Sequence, residues 1–181
     1  NSFICSVNSI FINNLLLYFY FFSHNIDYGD IMKKLCFFLL IFFPWYIGSF
    51  LFPIDLSYYQ QLELPIRISP LGYFGLWTSM YLILSFLSVR IISQVGYRYS
   101  KDYLRSLLFN YSVHQLFLYF FFTMKSPFLG FTDSMILFIS TLILYYETKE
   151  INPRWKYFLI PYLLLTVCSS ILLLITLFMN L

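Results

Sequence analysis

Two side chains stand out in an apolar run from Leu107 to Phe122: the amide of Asn110 and the imidazole of His114, with Gln115 beside them. Spaced four apart, Asn110 and His114 share one face of a helix, one turn above the other. An amide and an imidazole on an apolar surface can orient a ligand by hydrogen bonding. They can equally tie neighbouring helices together, which is the common use of such groups inside membrane bundles. Spacing alone leaves the two readings even. Either way the face is expected to point into a helix bundle, because polar groups at membrane depth are costly unless they meet protein, water or a ligand.

The elements that must position this face are hydrophobic throughout. The chain is 60% hydrophobic, 24% aromatic and 10% charged, a composition that excludes an ordinary soluble domain and specifies an integral membrane protein. It contains no alanine, so close helix contacts fall to Ser, Gly, Cys and Thr. Five segments of about span length are predicted, at 35–53, 71–93, 103–123, 128–146 and 157–179. The predicted fold class is therefore an all-α integral membrane protein, a five-transmembrane-helix bundle occupying residues 32–181. Pro161 predicts a kink in the fifth span by freeing the Tyr157 carbonyl.

Residues 1–31 fit this pattern poorly. The stretch 3–22 has span length but is weakened by Ser6, Asn8, Ser9, Asn13 and Asn14, and Met32-Lys33-Lys34 ahead of an apolar run resembles a bacterial start. The segment is expected to be a translated upstream extension, the alternative being a weak extra helix.

The basic residues predict orientation. The start and the second and fourth connections hold nine, from Lys33 to Lys156, while the first and third connections hold Arg67 and Lys125. By the positive-inside rule the start of the five-helix domain is cytoplasmic and the C-terminus and the 54–70 loop face outward. The net charge of +3 follows from these flanks meeting anionic headgroups, with no nucleic acid invoked.

Other candidates are fewer. Trp77 and Tyr81, one turn apart at the head of the second span, suit stacking on a flat ligand, or membership of the interfacial aromatic belt. Asp133, early in the fourth span, is a functional candidate or a structural hydrogen-bonding group. Cys5, Cys36 and Cys168 lie far apart without C-x-x-C spacing, and His24 and His114 occupy separate segments, so free thiols and no metal site are expected. The chain has no phosphate-cradling glycine loop, G-x-S-x-G elbow, H-E-x-x-H pair or paired carboxylates on one helix face.

From about Met32 onward the chain resembles the translocator protein family, also called tryptophan-rich sensory proteins or peripheral-type benzodiazepine receptors. The resemblance rests on Gly48-Ser49-Phe50-Leu51-Phe52-Pro53, on Tyr58-Tyr59 with Leu62 and Pro65, and on Ser69-Pro70 ahead of Phe74, Trp77 and Tyr81. It continues through Leu108-Phe109-Asn110, Phe120-Phe121, Leu159-Ile160-Pro161-Tyr162 and Asn180. It implies a five-helix bundle whose outward first loop covers a pocket for tetrapyrroles and flat aromatic drugs. Tyr59, Trp77, Tyr81 and Asn110 are then expected ligand residues, with His114 by location and Phe117 on the same helix. Leu165 and Ser169 complete the set from the last helix.

The resemblance also implies a bacterial inner-membrane sensor, carrier or regulator of porphyrin or haem-like ligands, needing no cofactor and with homodimerisation expected. His114 is expected to hydrogen-bond rather than to ligate haem iron. Departures weigh against the enzyme alternative, light-dependent porphyrin breakdown with Trp77 as the redox-active aromatic. The family's third-helix tryptophan falls at Val113 and its fifth-helix tryptophan at Leu165, while its Leu-Asn pair becomes Leu172-Leu173. Sterol recognition lacks support, since no basic residue follows Tyr162. A third reading is a structural or partner-binding bundle with a vestigial pocket.

Overall fold

The structure, a computed structural model, describes residues 31–181. The upstream segment, with Cys5 and His24, lies outside the described residues. Among them the chain is helical without strands. Helix α1 (Ile31–Phe42) runs through a 3-10 turn (Phe43–Tyr46) into α2 (Ile47–Leu51). A short helix α3 (Leu56–Gln61) sits in the first loop, followed by α4 (Pro70–Tyr99) and α5 (Lys101–Leu118), which continues as a π-helical turn (Tyr119–Thr123). Helix α6 (Pro127–Ile151), a 3-10 turn (Trp155–Leu159) and α7 (Ile160–Met179) complete the bundle.

Local chemistry sets these boundaries. Pro44 supplies no N–H, and the first helix tightens into its 3-10 turn there. Serines cap the two helices that open on proline: Ser69 Oγ accepts from Gly72 N–H at 3.1 Å, and Ser126 Oγ from Leu129 N–H at 3.3 Å. At the far end of α4, Gly96 takes φ 75°, which a residue with a side chain adopts at a cost, and the chain turns there into α5. Pro161 lies in the first turn of α7, after the 3-10 turn, so the expected kink is instead a helix start. A proline ring is tolerated there because the first-turn N–H groups have no partner inside the helix.

Among the described residues four helices are long and apolar enough to cross a membrane: Met32–Leu51, Leu71–Tyr99, Pro127–Ile151 and Trp155–Met179. The predicted third span is not among them. Lys101, Asp102 and Arg105 crowd the first turns of α5, and Asn110, Ser112, His114 and Gln115 lower its hydropathy further. The helix carrying the polar face is thus the least lipid-like of the long helices, and it is held by protein. Helix α6 packs extensively against both α5 and α7, α1 lies on α4, and α2 lies on α5.

Asn110 knots three of these helices together. It is fully buried; its Nδ2 donates to Ser140 Oγ at 2.8 Å and Thr141 Oγ1 at 3.0 Å on α6, and its Oδ1 accepts from Tyr162 O–H at 2.8 Å on α7. Gln115 grips the break in the first helix. Its Oε1 accepts from Gly48 N–H and its Nε2 donates to the Trp45 carbonyl at 3.2 Å, while Tyr111 O–H donates to the Pro44 carbonyl at 3.0 Å. A Cβ at Gly48 would collide with the Gln115 amide, so glycine is what allows this approach.

Candidate functional site

Beneath the first loop lies an apolar cavity of about 140 Å³. The loop roofs it with Ile54, Leu56, Tyr59, Leu64, Pro65, Ile66 and Ile68. Its walls are Tyr73 and Trp77 from α4, His114 and Phe117 from α5, Ser134 and Leu137 from α6, and Ser169, Leu172, Leu173 and Thr176 from α7. Phe121 and Phe122 close one side. Adjacent residues on a regular α-helix diverge, yet both of these are buried. They lie in the π-helical turn, where the local winding is wider.

His114 is the most polar feature of the apolar wall. It is 7% exposed, its Nε2 shares a 2.5 Å hydrogen bond with the Tyr81 hydroxyl, and its ring lies 4.4 Å from that of Trp77. Its Nδ1 has no hydrogen-bond partner among the described residues. Tyr81 is in turn stacked on Trp45, ring centroids 5.0 Å apart. Trp45 reaches this position through the 3-10 turn that Gln115 and Tyr111 clasp. A smaller cavity of about 60 Å³ sits beside the first, sharing Ile54, Tyr73, Trp77, His114 and Phe117 as a common wall and adding Tyr46, Ser49, Phe74, Tyr81 and Leu118.

The expected residues therefore separate. Tyr59, Trp77, His114, Phe117 and Ser169 converge on the main cavity, and Tyr81 lines the smaller one. Trp77 and Tyr81 are both buried, so neither belongs to an interfacial belt. Asn110 and Leu165 are not on the cavity lining. Asn110 spends its hydrogen bonds between helices, and Leu165, half-buried, packs against the main core. Asp133 is buried on α6, with Oδ2 lacking a partner among the described residues, so the expected structural hydrogen bond is not made at that oxygen. Trp45, Tyr73 and Phe122 are aromatic parts of the site that sequence reasoning missed. The Pro44-Trp45 pair was the available signal, because a proline break turns a lipid-facing register inward.

The roof is latched at both ends. Asp55 caps α3 by accepting from Tyr58 N–H at 3.0 Å, and its carboxylate pairs with Lys125 Nζ at 2.9 Å. Lys125 sits in a left-handed turn, φ 50°, between the π-helical turn and α6. At the other end Asn180 holds Glu63 in both directions, accepting from its N–H at 3.0 Å and donating to its carbonyl at 2.8 Å. Within the loop, Tyr59 O–H donates to the Ile68 carbonyl at 3.1 Å, and Arg67 Nη2 to the carbonyls of Gln60 and Leu62.

The Lys125 ammonium, with the Ser57 hydroxyl and Tyr58 N–H behind it, holds the Asp55 carboxyl well below its ordinary value of 3.8. A carboxylate depressed in the folded state contributes in full above its unfolded value and loses that contribution as pH falls toward the folded one. Between about pH 5 and pH 2.5 the protection of the Tyr58 amide against hydrogen exchange, corrected for intrinsic rate, is expected to fall in the wild type. In Asp55→Asn, which keeps a capping side chain, it is expected to stay flat. A wild-type profile as flat as the variant's would contradict the latch.

The sequence model of the TspO/MBR family matches residues 35–177. Over 145 residues the chain is 33% identical to the tryptophan-rich protein TspO of Bacillus cereus, covering 78% of this chain and 94% of that protein. It is 26% identical over 146 residues to the uncharacterized membrane protein YtaB of Bacillus subtilis, with the same coverage of each. The match takes in the loop roof, the Trp77 and His114 wall and the last helix together, and the chain is a membrane protein of the TspO/MBR family.

Proposed function

We propose that this protein is a membrane-embedded binding protein for porphyrin or haem-like tetrapyrroles and other flat hydrophobic ligands, acting as a sensor, carrier or regulator. The observation that carries this reading is the roofed, aromatic-walled cavity, apolar except for a few side chains, of which His114 is the most polar. Burial of a flat ring against Trp77, Tyr59 and Phe117 supplies affinity, and the polar wall supplies orientation. In this reading α5 is also a span, the third of five, with its polar face turned to its neighbours, and the bundle sits in a bacterial inner membrane with the latched loop outside. The split of nine basic residues against two supports that orientation.

Size adds a requirement. A dry cavity of about 150 Å³ takes one benzene ring, so a macrocycle needs the roof to lift. The roof is held by a partly exposed ion pair, a few hydrogen bonds and the packing of Tyr58 and Leu62 against Phe121 and Phe122, a small set of contacts that local opening releases.

Titration of the purified protein with protoporphyrin in the dark, followed by tryptophan fluorescence, tests the reading. Saturable quenching is expected. Quenching that rises linearly with ligand would contradict it and favour a structural bundle.

A further inference from the structure

The break in the first helix opens a cleft. Before the break α1 lies on α4; beyond it α2 lies on α5, drawn there by the hold of Gln115 on Gly48 and Trp45. The first helix thus changes partner at the 3-10 turn, and the smaller cavity occupies the gap. Tyr46 and Ser49 of the broken helix line it, with Phe74 of α4 and Leu118 of α5. Ser49 and Phe74 are exposed, whereas Trp77, Tyr81 and His114, which line the same cavity, are buried. The cleft therefore runs from the surface of the bundle to Trp77, His114 and Phe117, the wall it shares with the main cavity.

The surface at that mouth is apolar. Close to Ser49 and Phe74 along their helices, Phe50, Leu51 and Leu71 are exposed. The roof, by contrast, is edged with Asp55 and Lys125 at one end and carries Glu63 and Arg67. A flat apolar molecule concentrates among acyl chains rather than in water, so it meets the mouth of the cleft before it meets the roof. One side chain bars the passage. The Tyr46 hydroxyl donates to Thr78 Oγ1 on α4 at 2.9 Å, and its ring lies 5.6 Å from that of Phe74 and edge-on to Tyr81 at 5.5 Å.

We propose that this cleft is a lateral portal through which flat apolar ligands pass between the bilayer and the main cavity, with Tyr46 as its shutter. Lifting of the roof makes room for a macrocycle, and the cleft is its way in. The inference rests on the binding reading above.

A substitution that touches the path but not the bound state alters the barrier alone, so association and dissociation rates move by the same factor and affinity is unchanged. Stopped-flow tryptophan fluorescence of the protein in phospholipid nanodiscs, mixed with protoporphyrin in the dark, measures both rates. Ser49→Phe, which plugs the mouth from an exposed position, is expected to slow both about tenfold. Tyr46→Phe, which keeps the ring but removes its bond to Thr78, is expected to speed both about threefold. Cys36→Phe, exposed on α1 ahead of the break, is expected to leave both unchanged. Wild-type rates in either mouth variant, or a change confined to one of the two rates, would overturn the portal while saturable binding kept the binding reading intact. Absence of saturable quenching in the wild type would overturn the binding reading and the portal with it.

Discussion

Replacing Asn110 by Leu is expected to destabilise the bundle by about 2–3 kcal/mol, the largest loss of any single polar substitution in this bundle. The side chains are close in volume, so little of this is cavity formation. The loss comes from Tyr162, whose hydroxyl keeps its position in a fully buried site and loses the Asn110 oxygen that accepts from it. Ser140 and Thr141 suffer less, because each also donates to the Leu137 carbonyl. Removing both members of a buried pair costs less than orphaning one, so Asn110→Leu with Tyr162→Phe should recover about half of the loss. Thermal unfolding of the single and double variants in one detergent measures this. Strictly additive effects would mean that the pair is not coupled.

Trp77→Ala is expected to weaken protoporphyrin binding by about 2 kcal/mol, some thirtyfold, whereas Trp77→Phe loses about tenfold less than that. Trp77 lines both cavities, lies 4.4 Å from His114 and meets Tyr162 edge-on at 6.3 Å, so its indole is at once a stacking surface and part of the wall that holds the imidazole. Alanine removes both contributions, and phenylalanine keeps most of the apolar surface. The comparison also addresses light-dependent chemistry. If bound porphyrin bleaches under illumination in the wild type but not in an equally loaded Trp77→Phe protein, the enzyme alternative gains the site it needs.

Much of this arrangement was readable from the residues, and where reading stopped there was a physical reason. Long apolar runs mark helices whatever their neighbours, so four of the spans could be placed, their starts to within three residues and their ends to within six. Helix α5 shows the limit of hydropathy: its polar side chains face protein, and an average over a window does not know which way a side chain faces. For the same reason Asn110 and His114, one turn apart, could not be told apart in sequence. In the structure the first is a tie between three helices and the second lies in the cavity wall. Trp77 and Tyr81 were open between belt and pocket because a helical period fixes a common face but not its direction. The inward turn of Trp45 and the paired burial of Phe121 and Phe122 depend on a 3-10 and a π-helical turn, departures from the period on which such reading relies. Helix α3 is shorter than any periodic signal, though the spacing from Asp55 to Tyr58 carries its cap.

The central claim, that the cavity beneath the latched loop is where ligand binds, is tested most directly by filling it. Ser169 lines the cavity from α7 and is only half-buried, so a larger side chain there occupies ligand space without disturbing the Asn110 knot. In the dark protoporphyrin titration, Ser169→Phe is expected to bind at least tenfold more weakly than the wild type while unfolding within about 1 kcal/mol of it. Equal affinity in the two proteins would contradict the account, because the ligand would then be bound elsewhere.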